Sequence, residues 1–263
     1  MAIDKKARRI SVISGKGGVG KTVITANLAA ALAAGGHRVL VIDADLGLAN
    51  LDVILGLNPK HTIQDIFQGT CRAEDALIKT TKGFDLLPAG SGLLESAIIS
   101  KNLVKKMEDL LGNLEKNYDI MLFDSGAGLG EIVLIFATLA HQILVVVTPE
   151  VTSLMDAYAS IKVLKKHYER NEFLLVVNQA DPERPAQIGN SVARHLQTVI
   201  SKFIDESKSP PVYLQFIGAL PQDPAIPRSI KNRQLLSDTQ PPALSTGFVN
   251  TIADGIRTSM INL

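Results

Sequence analysis

The chain has 263 residues, of which 46% are hydrophobic and 20% are charged, and its formal net charge is +1. This size and composition are enough for one substantial core, and the near-neutral balance provides no overall attraction to nucleic acid or an acidic membrane. Cys71 is the only cysteine, which excludes an internal disulfide and a multi-cysteine metal site within one chain. Scarce aromatic residues and the absence of tryptophan argue against a base-stacking nucleic-acid platform.

The first nine residues are charged and lack the apolar segment of a secretory signal. No stretch approaches the ~18 consecutive apolar residues that a membrane-spanning helix requires. The sequence therefore predicts a cytoplasmic protein.

Short segments rich in valine, isoleucine and leucine alternate with helical patterns along the chain. Strands are predicted at 10–14, 38–43, 85–88, 119–124, 142–148, 173–178 and 212–220. Helices are predicted at 21–34, 63–68, 101–117, 131–141, 153–167, 187–205, 224–233 and 243–260. Continuous apolar strands are typical of a parallel sheet covered on both faces. The alternation predicts one α/β domain over residues 1–263, with a single doubly wound, mostly parallel sheet and helices on both faces.

Residues 15–22 read G-K-G-G-V-G-K-T and directly follow the first predicted strand, as in a phosphate loop. In such a loop, backbone N–H groups surround the phosphates at the start of a helix, a lysine contacts the β and γ phosphates, and a hydroxyl ligates Mg²⁺. A purely structural glycine-rich turn is the alternative, but acidic motifs further along the chain favour nucleotide binding. The expected phosphate-binding residues are Gly17, Gly18, Val19, Gly20, Lys21 and Thr22.

Carboxylates end two of the predicted strands. Asp43 and Asp45 are two residues apart, so both side chains point to the same side of the strand end; one can hold a magnesium-bound water and the other can lie near a nucleophile. Asp124 ends an apolar strand in the Walker B pattern. Thr22, Asp43 and Asp124 are therefore the predicted metal ligands. The glycine-rich segment 125–130 suits a switch that senses the γ-phosphate. A solvated turn or a helix cap is the structural alternative for these aspartates.

The base-binding residues are less specific. Asn178 ends a buried strand in the sequence N-Q-A-D, which resembles the guanine-reading motif N-K-x-D. An asparagine amide can bond either purine, whereas the Asp181 carboxylate would favour guanine if it faced the base. Pro221 and Asp223 follow the next strand and are expected to contact the other side of the base. A turn-forming strand end remains the structural alternative for Asn178.

The doubled-lysine loop of residues 16–22, K-G-G-V-G-K-T, resembles the deviant Walker A motif of the MinD/ParA family of dimeric P-loop ATPases. Residues 43–52, D-A-D-L-G-L-A-N-L-D, resemble its MinD branch. Three further segments look most like flagellar number regulators of the FlhG/FleN type: D-S-G-A-G at 124–128, T-P-E-V-T-S-L-M-D-A-Y at 148–158 and G-L-N-P-K at 56–60. The resemblance extends from about residue 9 to 233, and its motifs are more specific for the family than for that branch.

This resemblance implies an ATP hydrolase that uses ATP, ADP and Mg²⁺ and is slow without an activating partner. Lys16 is then the signature lysine that reaches the partner subunit's phosphates across an ATP-dependent homodimer. Lys16, Lys21 and Asp45 become the expected catalytic residues, and Asp45 orients the attacking water. Glu150 is expected to assist across the dimer interface, and Asn178 to contact adenine.

The implied role is a dimerising switch that regulates flagellar number or placement, with a flagellar GTPase or a basal-body component as its partner. A ParA-like DNA partition ATPase and a MinD-type regulator of the cell-division site are the alternatives, and the near-neutral charge argues against DNA. The chain departs from the family pattern at Val23, where a second threonine is common. Residues 1–6 also lack the Asp-Gln-Ala motif by which flagellar regulators activate the GTPase FlhF.

The predicted last helix, 243–260, has one apolar helical face and only one basic residue, Arg257. Helices that lie at a membrane interface are normally rich in lysine and arginine. The pattern therefore favours packing on the protein's own core. Binding to a partner, or reversible association with the inner membrane surface, is the alternative. The apolar face consists of Phe248, Val249, Ile252, Ile256 and Met260.

Overall fold

The computed structural model describes residues 6–45, 51–90, 101–205 and 209–261. The strands in these ranges are β1 (Arg8–Ser14), β2 (Val39–Ala44), β3 (Ile78–Lys79), β4 (Asp85–Leu87), β5 (Ile120–Ala127), β6 (Gln142–Val147), β7 (Glu172–Ala180) and β8 (Tyr213–Pro221). The helices are α1 (Lys21–Ala34), α2 (Leu51–Leu55), α3 (Ile63–Gln68), α4 (Ala73–Ala76), α5 (Lys101–Leu114), α6 (Glu131–Leu139), α7 (Val151–Tyr168), α8 (Pro185–Phe203), α9 (Ala225–Lys231) and α10 (Ser245–Ile261). Two short 3-10 helices cover Glu115–Asn117 and Leu236–Asp238.

The strands form one sheet in the order β3-β4-β2-β5-β1-β6-β7-β8. Every neighbouring pair is parallel except β3 and β4, which are antiparallel. The predicted doubly wound, mostly parallel sheet is confirmed. Because parallel strands share a direction, the carboxyl ends of β1, β2 and β5 meet at one edge, where such sheets bind ligands.

Side chains of the central strands alternate between two apolar layers. Ile10 and Val12 of β1 are fully buried in the layer that contains α1 and α10. Ile13, which points the opposite way, is buried in the layer that contains α6, α7 and α8. Burial on both faces explains why these strands are continuous apolar segments.

The predicted bounds of α1 and α3 are confirmed, and most other bounds differ by one to three residues. The strand predicted to end at Asp124 continues to Ala127, because Ser125 pairs with Ala44 and Ala127 pairs with Ser14. The first half of the predicted switch segment is therefore part of the sheet. β3, α2 and α4 were not predicted, since elements of two to five residues are too short to show a periodic pattern.

Helix α10 packs on the core, as the sequence favoured. Its apolar residues Val249, Ile252 and Ile256 are buried against α1 and β8. Two glycines allow the close approach: a Cβ on Gly255 would lie 2.9 Å from the Ile217 Cβ, and one on Gly218 would lie 2.7 Å from Ile252 Cγ1. The apolar face is thus covered in this structure. None of the described helices is long and apolar enough to cross a membrane.

The contact between α10 and β8 predicts opposite effects for two glycine substitutions in one helix. Gly255→Ala forces a methyl group against Ile217, and we expect a loss of about 1–3 kcal/mol in the free energy of unfolding. Gly247→Ala is the matched control, because no described atom beyond its chain neighbours and the nearby backbone of its own helix lies within 4 Å of its added Cβ, and it should be neutral or slightly stabilising. Urea denaturation measures both, and equal effects would contradict the close packing of α10.

Candidate nucleotide-binding site

The loop between β1 and α1 requires glycine at particular positions. Gly18 and Gly20 have φ angles of 78° and 92°, in the left-handed region that other residues rarely adopt. Gly20 also leaves room for the Asn178 amide, and Gly15 lies against the backbone of Asp156 in α7. The glycine spacing thus serves the backbone turn and two tertiary contacts together.

Three hydrogen bonds fix this loop to neighbouring segments. Asn178 Nδ2 at the end of β7 donates to the Val19 carbonyl over 2.7 Å. The Ser14 hydroxyl donates to the Lys16 carbonyl over 2.8 Å, and the Gly128 N–H donates to the Ser14 carbonyl over 2.9 Å. The loop is therefore held in shape by β7 and by the segment that follows Asp124.

Asp43 and Asp124 lie side by side as register partners on β2 and β5, and each is only 1% exposed. The Thr25 hydroxyl, one turn into α1, lies 2.9 Å from Asp124 Oδ1. Burial raises the pKa of Asp124 to about 6, although Lys21 and the hydroxyls of Thr22 and Thr25 act to lower it. A buried carboxylate of this kind favours a bound cation, because a cation restores the charge balance that burial disturbs.

The donor set around Asp124 fits Mg²⁺. The described residues contain no group of three or more His, Cys, Asp or Glu side chains placed to hold a metal. Mg²⁺ does not need one, because it keeps several waters and binds through one or two carboxylates together with substrate phosphates. Thr22, Asp43 and Asp124 supply one hydroxyl and two carboxylates at the loop.

Asp45 lies at the edge of this group, half-buried just beyond β2. Its N–H donates to Asp43 Oδ1 over 3.1 Å, and its carboxylate faces Gly126, where an added Cβ would lie 3.5 Å from Oδ1. The predicted switch segment and the second aspartate are therefore neighbours. Residues 46–50 of the same motif lie outside the described residues.

A cavity of about 760 Å³ opens beside the loop. Its walls include Gly18, Gly20, Val23 and Ile24 on one side and Asn178, Gln179, Pro182, Pro221, Gln222, Asp223, Pro224 and Pro227 on the other. Asn178 is 5% exposed, and its Oδ1 is buried with no hydrogen-bond partner in the described part of the chain. A buried acceptor without a donor is costly, so a donor that reached this atom from a ligand in the cavity would be stabilised.

Asp181 is the residue that would favour guanine if its carboxylate faced the base. Asp181 is not among the described residues that line the cavity. Its Oδ1 accepts the Glu183 N–H over 2.9 Å, and its Oδ2 lies 3.8 Å from Arg184 Nε. The carboxylate that would favour guanine is thus occupied in its own turn, while Asn178 offers an acceptor that matches the amino group of adenine.

Pro221 and Asp223, which the sequence predicts to contact the base, both line the cavity, and Asp223 also has a structural task. Its Oδ1 accepts the Ala225 N–H over 2.8 Å, and its Oδ2 accepts the Ser245 N–H over 2.9 Å. Burial acts to raise the pKa of Asp223. The two backbone hydrogen bonds, together with a hydrogen bond from the Ser245 side chain, outweigh this effect, so the pKa of Asp223 is lowered. Asp223 therefore joins the starts of α9 and α10 and holds the cavity wall.

Lys16 and Glu150 meet within the same chain. Lys16 Nζ lies 2.9 Å from Glu150 Oε2 and 3.2 Å from the Thr152 hydroxyl, and the Lys16 and Glu150 side chains are 43% and 61% exposed. Beside this pair, Val151 and Met155 on the first turns of α7 are 72% and 65% exposed. Lys16 therefore points along the surface of its own subunit, next to exposed apolar side chains.

Sequence reasoning missed Thr25, Thr152 and the Gly15–Asp156 contact. Thr25 follows Thr22 by one helical turn, so its spacing could have placed it beside the same carboxylate. The other two contacts join the loop to α7, more than 130 residues further along the chain, and no local pattern indicates them.

A family profile described as an AAA domain matches residues 7–176. The chain is 36% identical over 247 residues to Antiactivator FleN of Pseudomonas aeruginosa, which covers 94% of this chain and 85% of FleN. It is 31% identical to the flagellum site-determining protein YlxH of Helicobacter pylori over 93% of this chain and 80% of YlxH.

Solved structures agree with these relatives. The MinC:MinD cell division protein complex of Aquifex aeolicus contains a chain that matches with a TM-score of 0.76 and 30% identity over 96% of both chains. The Mg-ADP complex of the septum site-determining protein MinD from Pyrococcus horikoshii matches with a TM-score of 0.72 and 26% identity over 98% of this chain and 99% of the other. The chain belongs to the MinD/ParA family of P-loop ATPases and is FleN-like within it.

Proposed function

We propose that this protein is an ATP-dependent dimerising switch that regulates flagellar number or placement. The flagellar assignment rests on the similarity to FleN and YlxH. The observation that carries the switch is the position of Lys16, a loop lysine that lies on the subunit surface beside exposed Val151 and Met155. This arrangement leaves an ammonium and an apolar patch ready for a second copy of the chain.

The nucleotide site takes ATP and ADP with Mg²⁺. Backbone N–H groups of residues 17–20 and the side chains of Lys21 and Thr22 hold the phosphates, and the unpaired Asn178 Oδ1 accepts from the adenine amino group. Thr22, Asp43 and Asp124 hold Mg²⁺, which when bound neutralises phosphate charge. The Mg-ADP complex of the Pyrococcus horikoshii relative supports this choice of ligands.

The typical free energies of the two interactions favour a move of Lys16 from Glu150 to the partner's nucleotide. An exposed ion pair such as Lys16–Glu150 contributes only about 0–1 kcal/mol. A charge-assisted hydrogen bond to a phosphate contributes roughly 1.5–3 kcal/mol. Burial of Val151 and Met155 in an interface adds a hydrophobic gain of similar size. The contacts formed in an ATP-bound dimer are therefore worth more free energy than the Lys16–Glu150 ion pair that is lost.

Hydrolysis is slow in the single subunit because Lys16 is paired with Glu150 of its own chain and each site lacks a second copy's lysine. Asp45, which lies beside the segment after Asp124, orients the attacking water. Lys16 of the second copy stabilises the negative charge on the γ-phosphate, in the way that an arginine finger does. Hydrolysis then removes the contact and releases the dimer. A flagellar GTPase or a basal-body component acts as the partner of the ATP-bound dimer.

A MinD-type role at the cell-division site is the second candidate, because MinD structures match nearly the whole chain. DNA partition is weaker, since the net charge is only +1. Membrane attachment through α10 would require its buried apolar face to be released from the core.

The dimer hypothesis predicts opposite effects at the two ends of one ion pair. Lys16→Ala should stay monomeric with ATP and Mg²⁺, because the partner's phosphates lose an ammonium. Glu150→Gln should dimerise at equal or lower protein concentration, because Lys16 is freed. Size-exclusion chromatography with light scattering measures both, with Lys202→Ala as a lysine control far from the loop. Doubling of mass in Lys16→Ala upon addition of ATP would contradict the role of Lys16.

The proposed role of Asp45 predicts a dimer that forms but does not turn over. Asp45→Ala should retain ATP-dependent dimerisation and lose phosphate release by at least ~100-fold, the usual range for a positioned proton acceptor. Lys21→Ala should instead lose nucleotide binding. Asp109→Ala, an exposed aspartate on α5, is the control. Unchanged phosphate release in Asp45→Ala would reject the assignment.

Asn178 has two proposed roles, which a comparison of ATP with GTP separates in one variant. Asn178→Ala removes the anchor to Val19, which weakens ATP and GTP alike, and removes the unpaired Oδ1, which weakens ATP alone. We expect ATP affinity to fall by roughly tenfold more than GTP affinity, about one hydrogen bond. Competition of both nucleotides against a fluorescent ADP measures the ratio. An unchanged ATP-to-GTP ratio would show that Asn178 acts only on the loop.

A further inference from the structure

A second cavity lies at the opposite edge of the sheet from the phosphate loop. It has a volume of about 510 Å³ and is lined by Lys6, Ala7, Arg8, His37, Asp119, His141, Arg257 and Met260. Arg8 starts β1 and Ser14 ends it, so at about 3.3 Å per residue the two sites are separated by roughly 20 Å. The proposed nucleotide chemistry uses none of these residues.

The carboxylates near this cavity are already occupied. Asp119 accepts from Arg38 Nη2 over 2.9 Å and from the Arg38 N–H over 2.9 Å, and the Arg38 guanidinium lowers the pKa of Asp119 to about 2. Glu115 is shared by Arg9 at 2.6 Å and Lys6 at 3.6 Å. Neither carboxylate is therefore left to balance a further cation.

Among the described residues around the cavity, the cations exceed the carboxylates. Arg8 forms no ion pair with any residue that the structure describes, and Arg257 is paired only with Asp254 on its own helix. The Arg257 Nη1 group is buried against Gly35 and has no acceptor in the described ranges. Among the residues that the structure describes, this surplus is a local feature, because the net charge of the whole chain is only +1.

His141 lies among these cations, and their positive charge affects its pKa. Its Nδ1 accepts the Arg9 N–H over 3.0 Å, so in the neutral ring Nε2 carries the proton and is a donor. Burial lowers the pKa of His141, and Arg8, Arg9 and Arg170 lower it further, against a smaller opposite effect of Glu115. A bound anion would relieve this repulsion and give the ring a hydrogen-bond acceptor.

We propose that this cavity binds a phosphate monoester or diester through Arg8, Arg257 and His141. Guanidinium groups match the geometry of phosphoryl oxygens, and both arginines line the cavity, with Arg8 lacking an ion-pair partner among the described residues. The volume exceeds that of a bare phosphate and lies in the range of small-molecule sites, about 300–1,000 Å³. Ala7 and Met260 supply apolar wall for the organic part of the ester.

The experiment uses the full chain saturated with ADP, so that the phosphate loop is filled. Glycerol 3-phosphate is titrated into isotopically labelled protein, and backbone amide shifts are followed by NMR. We expect saturable shifts around Arg8, His37 and His141. The dissociation constant should rise at least tenfold in Arg8→Gln and in Arg257→Gln, and it should be unchanged in Arg194→Gln, an exposed arginine on α8.

A vesicle arm separates the two sources of the phosphoryl group. Co-sedimentation is measured with vesicles that contain phosphatidylglycerol and with vesicles of phosphatidylcholine alone. Binding to the former that is lost in Arg8→Gln, without binding of glycerol 3-phosphate, assigns the site to a lipid headgroup; the reverse assigns it to a soluble ester. Absence of both, or binding that neither variant weakens, overturns the proposal. Thermal unfolding and ADP binding of both variants confirm that they are folded.

Discussion

The site depends on one buried carboxylate, Asp124, which β5 places under the first turns of α1. A charge that is 1% exposed is tolerated only when groups of opposite charge or hydrogen-bond donors surround it. Lys21 and the hydroxyls of Thr22 and Thr25 provide that environment, and they come from consecutive turns of one helix. The carboxylate therefore holds the start of α1 at the edge of the sheet. The phosphate loop, which directly precedes α1, is held at the same edge.

The parallel sheet extends this constraint to the other functional groups. Asp43 comes to lie beside Asp124 because β2 pairs in register with β5, and Asn178 reaches the loop because β7 ends at the same edge. Each group arrives on a rigid strand rather than on a free loop. Lys16 differs, since its side chain is half exposed and is paired weakly with Glu150. A rigid nucleotide site with one movable lysine is the physical basis of a switch between a single subunit and a dimer.

The two edges of the sheet have different charge balances. At the carboxyl edge, aspartates collect and favour a cation with a nucleotide. At the amino edge, the carboxylates Glu115 and Asp119 are each held by arginine, which leaves Arg8 without an ion-pair partner in the described ranges, at a cavity that Arg257, paired with Asp254, also lines. A parallel sheet thus keeps the nucleotide site and the proposed phosphate site apart by the length of its strands, so that a ligand at one edge does not compete with a ligand at the other.

The sequence by itself determined the strand and helix alternation, the phosphate loop and the strand-end carboxylates Asp43, Asp45 and Asp124, because each depends on residues close together in the chain. Only the tertiary structure decided that Asp181 is not among the described residues that line the cavity, that Asp223 joins two helices and that the apolar face of α10 is covered. It also decided that Lys16 pairs with Glu150, 134 residues further along the chain, and that Val19 is bound by Asn178, 159 residues further along. Such contacts are fixed by strand order and helix packing, which bring distant segments together without a local pattern in either one.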